Sequence, residues 1–337
     1  MLYLHIGMSK TGSTTIQHFL ANTRLAPLRL RTLDCLAPGN SWELAAASGT
    51  PVARSYFVRQ RKMLDPKAFE DLRAALWDQV KAEVAATRHT QDGREDFVAS
   101  SEFLYRHYFG HRQALEEFRD NLEAHFGSVR VILYLRDQRA YMRSFYAQTV
   151  LGPTRSRSDF EAFFNAFRNA ENGWNYRRGV RDWEKVFGRE RLVVVPFDPR
   201  NFHQGDLVSD FLYRLDPEIA ARYTVPGHVA PQNVSPGYRQ ITAQRISNAL
   251  PPLIERPVAY ALNVLSRDDT FGALLGARDF PDQFDEQILA LASEGNAWLN
   301  ERFLGDFEVK LPVSEAKASE AKTARRATSP LARGKTV

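Results

Sequence analysis

The chain has 337 residues, 45 Lys+Arg against 40 Asp+Glu, and a formal charge of +5. An apolar share of 44% supports a packed core and excludes a disordered chain. No run approaches the roughly 18 apolar residues of a membrane span, and one cysteine, Cys35, excludes both an intramolecular disulfide and a multi-cysteine zinc site.

The chain opens with MLYLHIGMSKTG, which lacks the basic and apolar regions of a secretory signal, so cytoplasmic residence is the expectation. Leu2 to Ile6 reads as a strand ending at Gly7, and Ile16, Phe19 and Leu20 then mark a helix over Ser13 to Thr23. Residues 24–65 read as irregular, punctuated by Pro27, Pro38, Gly39, Gly49 and Pro51. Asp65-Pro66 opens a long helix with Phe69, Leu72, Leu76, Val80 and Val84 on one stripe. Phe97 to Ser101 reads as a second strand, and His111 to Phe126 as an amphipathic helix stopped by Gly127. Val129 to Leu135 (VRVILYL) is the strongest strand, apolar enough for a central position buried on both faces. Helices over about 158–170 and 174–187 precede a fourth strand, Arg191 to Phe197; a helix near 205–215 and further helices to about 305 complete the body. The fold class is therefore α/β: a P-loop-like parallel sheet flanked by helices, with a helical C-terminal portion. Residues 1–312 are expected to form one domain. Residues 313–337 are expected to be a low-complexity tail, disordered or weakly helical. That tail holds six Lys or Arg against two Glu, a net +4 of the chain's +5. The basic balance thus gives no reason to expect nucleic-acid binding, although the tail suits weak contact with a membrane or anionic polymer.

Gly7-Met8-Ser9-Lys10-Thr11-Gly12-Ser13-Thr14-Thr15 joins the first strand to the first helix. Such a turn points backbone N–H groups at one place, where the helix dipole, the lysine and the hydroxyls favour an anion. Gly7 and Gly12 have Walker A spacing, but Ser13 follows Gly12 and the lysine stands two places before that glycine. No apolar strand ends in an aspartate suited to Mg²⁺, so a phosphate loop without a metal is expected. A second anion site is expected where Arg136 ends the strongest strand and Ser144 follows eight positions later. An Arg-Asp pair capping a helix is the other reading of Arg136. Two anion sites at the carboxyl ends of adjacent parallel strands suit a nucleotide.

Lys10-Thr11-Gly12-Ser13-Thr14-Thr15-Ile16-Gln17 resembles the 5′-phosphosulfate loop of PAPS-dependent sulfotransferases, and Leu4-His5-Ile6-Gly7 resembles the bacterial branch of that superfamily. Arg136 with Ser144 resembles the family's 3′-phosphate pair, with Gln138 where the family often has proline. The resemblance continues through Asn175-Tyr176, Trp183 to Gly188, Val193 to Phe197, Asp206 to Leu212 and Asn233-Val234-Ser235, and covers about residues 1–250. It implies that PAPS (3′-phosphoadenylyl sulfate) is the sulfuryl donor, PAP the product, and no metal is needed. It implies that Lys10 contacts the 5′-phosphate and bridging oxygen, within a loop of Thr11, Gly12, Ser13, Thr14 and Thr15. Asn233 and Ser235 are assigned to a loop over the nucleotide, with loop capping as the other reading.

The implied reaction moves a sulfuryl group to a hydroxyl or amine of an acceptor, by family analogy a carbohydrate or glycolipid. Glu102, after the second strand, is the candidate general base; a first-turn helix residue favoured by the dipole is its alternative. His5, His107 and His111 are the other candidates. A P-loop-like kinase or NTPase and a non-catalytic anion- or nucleic-acid-binding protein remain as competing classes, separable by Mg²⁺-dependent ATP turnover and by salt-sensitive polynucleotide affinity.

Overall fold

The computed structural model describes residues 1–90, 95–170, 174–224, 236–267 and 279–314. Asn233, Ser235 and the tail beyond Ser314 lie outside the described residues.

Five parallel strands form the sheet: β1 (Leu2–His5), β2 (Leu30–Arg31), β3 (Asp96–Ser100), β4 (Val129–Leu135) and β5 (Leu192–Pro196), in the order β2-β3-β1-β4-β5. All four residues of β1 and six of the seven in β4 are buried, as near-continuous apolar runs require between two helical layers. Leu4 stands opposite Ala99 of β3 and Val131 of β4. From β1 the chain moves out to β2, returns through β3, then crosses β1 to β4 and β5. The winding reverses between β1 and β4, where a sheet of this kind leaves a crevice at the strands' carboxyl ends. Four strands were legible in the sequence. The fifth, β2, has two residues, too few for any periodicity.

The helices are α1 (Ser13–Asn22), α2 (Trp42–Ala46), α3 (Pro51–Arg54), α4 (Pro66–Thr90), α5 (Phe103–His107), α6 (Arg112–Phe126), α7 (Gln138–Leu151), α8 (Phe160–Asn169), α9 (Tyr176–Phe187), α10 (Leu207–Leu215), α11 (Pro217–Ala220), α12 (Tyr238–Ser247), α13 (Pro252–Leu265) and α14 (Gln283–Arg302). Within the segment read as irregular lie β2, α2, α3 and a π-helical turn over Ser55–Gln60. Thr50 caps α3 by accepting from the Ala53 amide, with Pro51 at the first helical position.

The described residues pack into two compact units. The first takes Met1–Asp137, the described part of Tyr176–Ser235, and Arg302–Lys310. It contains the whole sheet. Alternation along the strands sends Tyr3, Val98, Ile132, Tyr134 and Val195 to one face, against Ile16, Phe19 and Leu20 of α1 and Phe211 and Leu212 of α10. Phe97 points to the other face and meets Phe126 of α6 at 5.3 Å between ring centroids. Cys35 is half-buried; burial and a hydrogen bond with Glu83 push its thiol up to about 12, so it is an unreactive packing residue.

The second unit takes Gln138–Asn175, Pro236–Glu301 and the described residues from Leu311. Its core is aromatic: Phe160 packs against Tyr146, Phe280 and Phe284 at 5.2, 4.8 and 5.3 Å. Gln138 and Asn296, both buried, exchange side-chain amide hydrogen bonds of 2.7 and 3.0 Å. Among the described residues no helix is long and apolar enough to cross a membrane.

Candidate anion-binding and catalytic site

The loop after β1 is held in place before any ligand is considered. The Ile6 amide donates to the Ile132 carbonyl at 3.0 Å, so the chain follows β4 beyond the end of the strand. Gly7 has φ +96°, and a Cβ there would stand 2.7 Å from Cα of Glu102. The loop after β1 and the turn after β3 can touch only because this residue lacks a side chain. Gly12, at φ +71°, caps α1, where a Cβ would stand 2.3 Å from Cδ2 of Leu207. Lys10 also adopts a left-handed backbone, φ +66°, which strains a residue with a Cβ. The buried Thr11 hydroxyl donates to the Met8 carbonyl and locks the turn. The Gly12 carbonyl accepts from Thr15 and Ile16 and starts the helix. Among the described residues, no backbone carbonyl accepts from the amides of Thr11 to Thr14. These are the N–H groups a helix start leaves open, at the positive end of its dipole.

Two cations meet at this loop. Arg136 directly follows β4, and its Nη1 donates to the Lys10 carbonyl at 3.0 Å. Its guanidinium lies 5.9 Å from the Phe197 ring centroid, and its own carbonyl accepts from the Tyr176 hydroxyl at 2.9 Å. Burial and the Arg136 charge push the Lys10 pKa below its ordinary value, with Glu102 pulling it back. Burial likewise lowers that of Arg136. Neither cation forms an ion pair with a described carboxylate. Two partly desolvated, mutually repelling cations beside open amides are stabilised by an anion.

Glu102 sits at the N-cap position of α5, yet its side chain does not cap that helix. Its Oε2 accepts from Ser13 Oγ at 2.8 Å and from Gln17 Nε2 at 3.2 Å, both on α1. Ser13 and Gln17 are one helical turn apart and share a face, so α1 holds this carboxylate beside the loop after β1. The sequence reading assigned Gln17 no role of its own, although the i,i+4 spacing from Ser13 was visible.

The structure distributes the other expected residues differently. Ser13 commits its single hydroxyl proton to Glu102, leaving its amide for an anion. Thr11 likewise offers its amide, and Thr14 and Thr15 are exposed. Ser144 lies half-buried on α7, in the second unit. His5 is buried between Tyr134 and Phe211, its Nδ1 2.8 Å from Ser100 Oγ, and burial drives its pKa down to about 3. His107 is also buried, against Phe57 and Phe103, with its pKa down to about 3. Both are neutral packing residues and weak proton acceptors at neutral pH. His111 lines a depression of about 430 Å³ with Ser48, Arg112 and Glu117, and none of Gly7 to Thr15, Glu102 or Arg136 lines it.

No family model matches the chain. An uncharacterized protein of Archaeoglobus fulgidus is 25% identical over 191 residues, 54% of this chain and 50% of that protein. The match thus spans half the length of that relative. Among solved structures, a sulfotransferase from Alicyclobacillus acidocaldarius aligns with a TM-score of 0.40 and 13% identity, over 79% of this chain and 96% of the other.

Proposed function

We propose that the chain is a PAPS-dependent sulfotransferase acting on a hydroxyl or amine acceptor, a carbohydrate or glycolipid by analogy with the family its loop resembles. One observation supports the reading: Lys10 and Arg136, neither in a salt bridge with a described carboxylate, lie with Glu102 at the carboxyl edge where the sheet's winding reverses. Bound PAPS supplies the sulfuryl group, with PAP leaving. Lys10 and the first-turn amides of α1 offset the negative charge that collects on the leaving phosphate. Arg136, with its forked donors, suits the separate 3′-phosphate. Glu102, oriented by Ser13 and Gln17, takes the proton of the acceptor as its oxygen or nitrogen bonds to sulfur.

The test pairs calorimetry with transfer of labelled sulfate. PAP binds the wild-type protein, and Lys10→Ala or Arg136→Ala each weakens it about tenfold to a hundredfold, the loss of a charge-assisted contact. Glu102→Gln keeps PAP affinity and lowers turnover about 10²–10⁴-fold, the usual contribution of a general base. Undiminished PAP binding by both cation variants, or ATP turnover dependent on Mg²⁺ without PAPS turnover, overturns the assignment.

A further inference from the structure

The π-helical turn Ser55–Gln60 and α5 border a depression of about 300 Å³, lined by Val52, Ser55, Tyr56, Gln60, Arg106 and His107. None of Gly7 to Thr15, Glu102 or Arg136 lines it, so it is separate from the candidate anion site. The π-helical turn selects its polar groups. The Arg61 amide donates to the Tyr56 carbonyl, five residues back, at 2.9 Å. This wider turn brings Gln60 to the side of Ser55, where an α-helical count would bring Arg59. The wall thereby gains an amide, both donor and acceptor, in place of a second guanidinium. Among the described residues no carboxylate lines the depression, and Arg106 makes no hydrogen bond or ion pair. By contrast, Arg54 and Arg73 both pair with Glu70, and Arg61 Nε donates to the Tyr56 hydroxyl at 2.9 Å. The side chains of Ser55 and Gln60 likewise make no hydrogen bond to a described residue. His107, fully buried, forms one wall beside Tyr56 and Phe103, at 5.2 and 5.8 Å between ring centroids. Neither of its ring nitrogens has a hydrogen-bond partner among the described residues, although buried polar groups are nearly always paired.

We infer that this depression binds a polyhydroxylated carboxylate of monosaccharide size, a sugar acid, with Arg106 on its carboxylate. One forked guanidinium with no acid of its own pairs with one carboxylate. The Gln60 amide and the Ser55 hydroxyl offer both donors and acceptors, as ring hydroxyls require. The Val52 side chain and the Tyr56 ring receive the apolar C–H face of the ring. A polyanion would call for several cations, and the π-helical turn presents an amide where a second arginine could have stood. The volume lies at the lower end of the roughly 300–1,000 Å³ of ligand pockets, which suits a single ring. This inference concerns binding alone. It is independent of the sulfotransferase reading and rests on different residues.

The experiment is saturation-transfer NMR and calorimetry of the full chain with D-glucuronate, D-glucose and acetate as probes. The wild-type protein is expected to bind glucuronate at least tenfold more tightly than glucose, which lacks the acid, or acetate, which lacks the ring. Arg106→Leu lowers glucuronate affinity at least tenfold, the loss of a charge-assisted contact, and Gln60→Leu lowers it about threefold to tenfold. Lys10→Ala leaves it within about twofold, because the loop after β1 does not line the depression. Arg106 and Gln60 are exposed, and circular dichroism checks that the variants fold. The inference fails if the wild-type protein binds glucuronate no better than glucose or acetate, or if Arg106→Leu keeps wild-type affinity. It also fails if Lys10→Ala abolishes glucuronate binding, which assigns the acid to the loop after β1.

Discussion

Gly7 decides how closely the two halves of the candidate site approach. A methyl group there would stand 2.7 Å from a backbone atom of Glu102, which cannot rotate away, at a φ of +96° that L-residues rarely adopt. Gly7→Ala is expected to cost about 2–4 kcal/mol in urea unfolding, the sum of overpacking and backbone strain, and to displace Glu102 from Ser13. His107 tests burial by pH. Its folded pKa, about 3, lies below the ordinary 6.5, so its contribution is complete above pH 6.5 and is lost as pH falls toward 3. The slope reaches about 1.4 kcal/mol per pH unit, because the unfolded chain takes up a proton that the folded chain refuses. His107→Phe, stacked in the same aromatic setting, is expected to flatten the acid-side loss of stability by that amount while leaving pH 8 stability within about 1 kcal/mol. Denaturant melts at pH 8, 6 and 5 read the difference in slope.

Among the elements, α1 and α7 show how one helix start serves two purposes. Gly12 and the open amides at the head of α1 form the candidate anion site, while Ser13, the first helical residue, and Gln17, one turn on, hold Glu102. The head of α7 is anchored differently. Where the resembling family often has proline, Gln138 is buried and exchanges two amide hydrogen bonds with Asn296 of α14; Asn296 also donates to the Pro312 carbonyl at 2.7 Å. Removing one partner strands the other. Gln138→Leu is expected to lower stability by about 1–3 kcal/mol, the cost of an unmet buried amide. Asn296→Leu should cost a similar amount, and the double variant clearly less than the sum, because the stranded group is gone. Thermal or urea unfolding of the four proteins measures that coupling.

At the scale of the whole molecule, charge and organisation both matter. Four of the five net positive charges lie in residues 313–337, so the basic balance of the chain says little about its folded body. The proposed function instead rests on the pair of cations at Lys10 and Arg136. Both belong to the unit that contains the sheet, which has its own core. PAP at a hundred times its dissociation constant is expected to stabilise that unit by about 2.7 kcal/mol, seen as a rise in its calorimetric transition. Lys10→Ala should lose about half of that rise or more. A transition indifferent to PAP in the wild-type protein would contradict the assignment of the loop.

Four strands and the glycine-bearing turn after the first were legible in the sequence because each is encoded locally. Apolar runs, a glycine-bearing turn and a charged residue at a strand's end need only near neighbours to be recognised. Only the tertiary structure decided what those residues meet. The register that sets Leu4 opposite Ala99 brings Gly7 against Glu102, and with it Ser13 and Gln17 to a carboxylate more than 80 positions away. It directs the hydroxyl protons of Thr11 and Ser13 to the Met8 carbonyl and to Glu102, and leaves their amides without a backbone acceptor among the described residues. It showed that His5 and His107 are buried, which lowers their pKa and which composition cannot reveal. Periodicity records which residues favour burial; which of them are buried depends on the packing of elements distant in the chain.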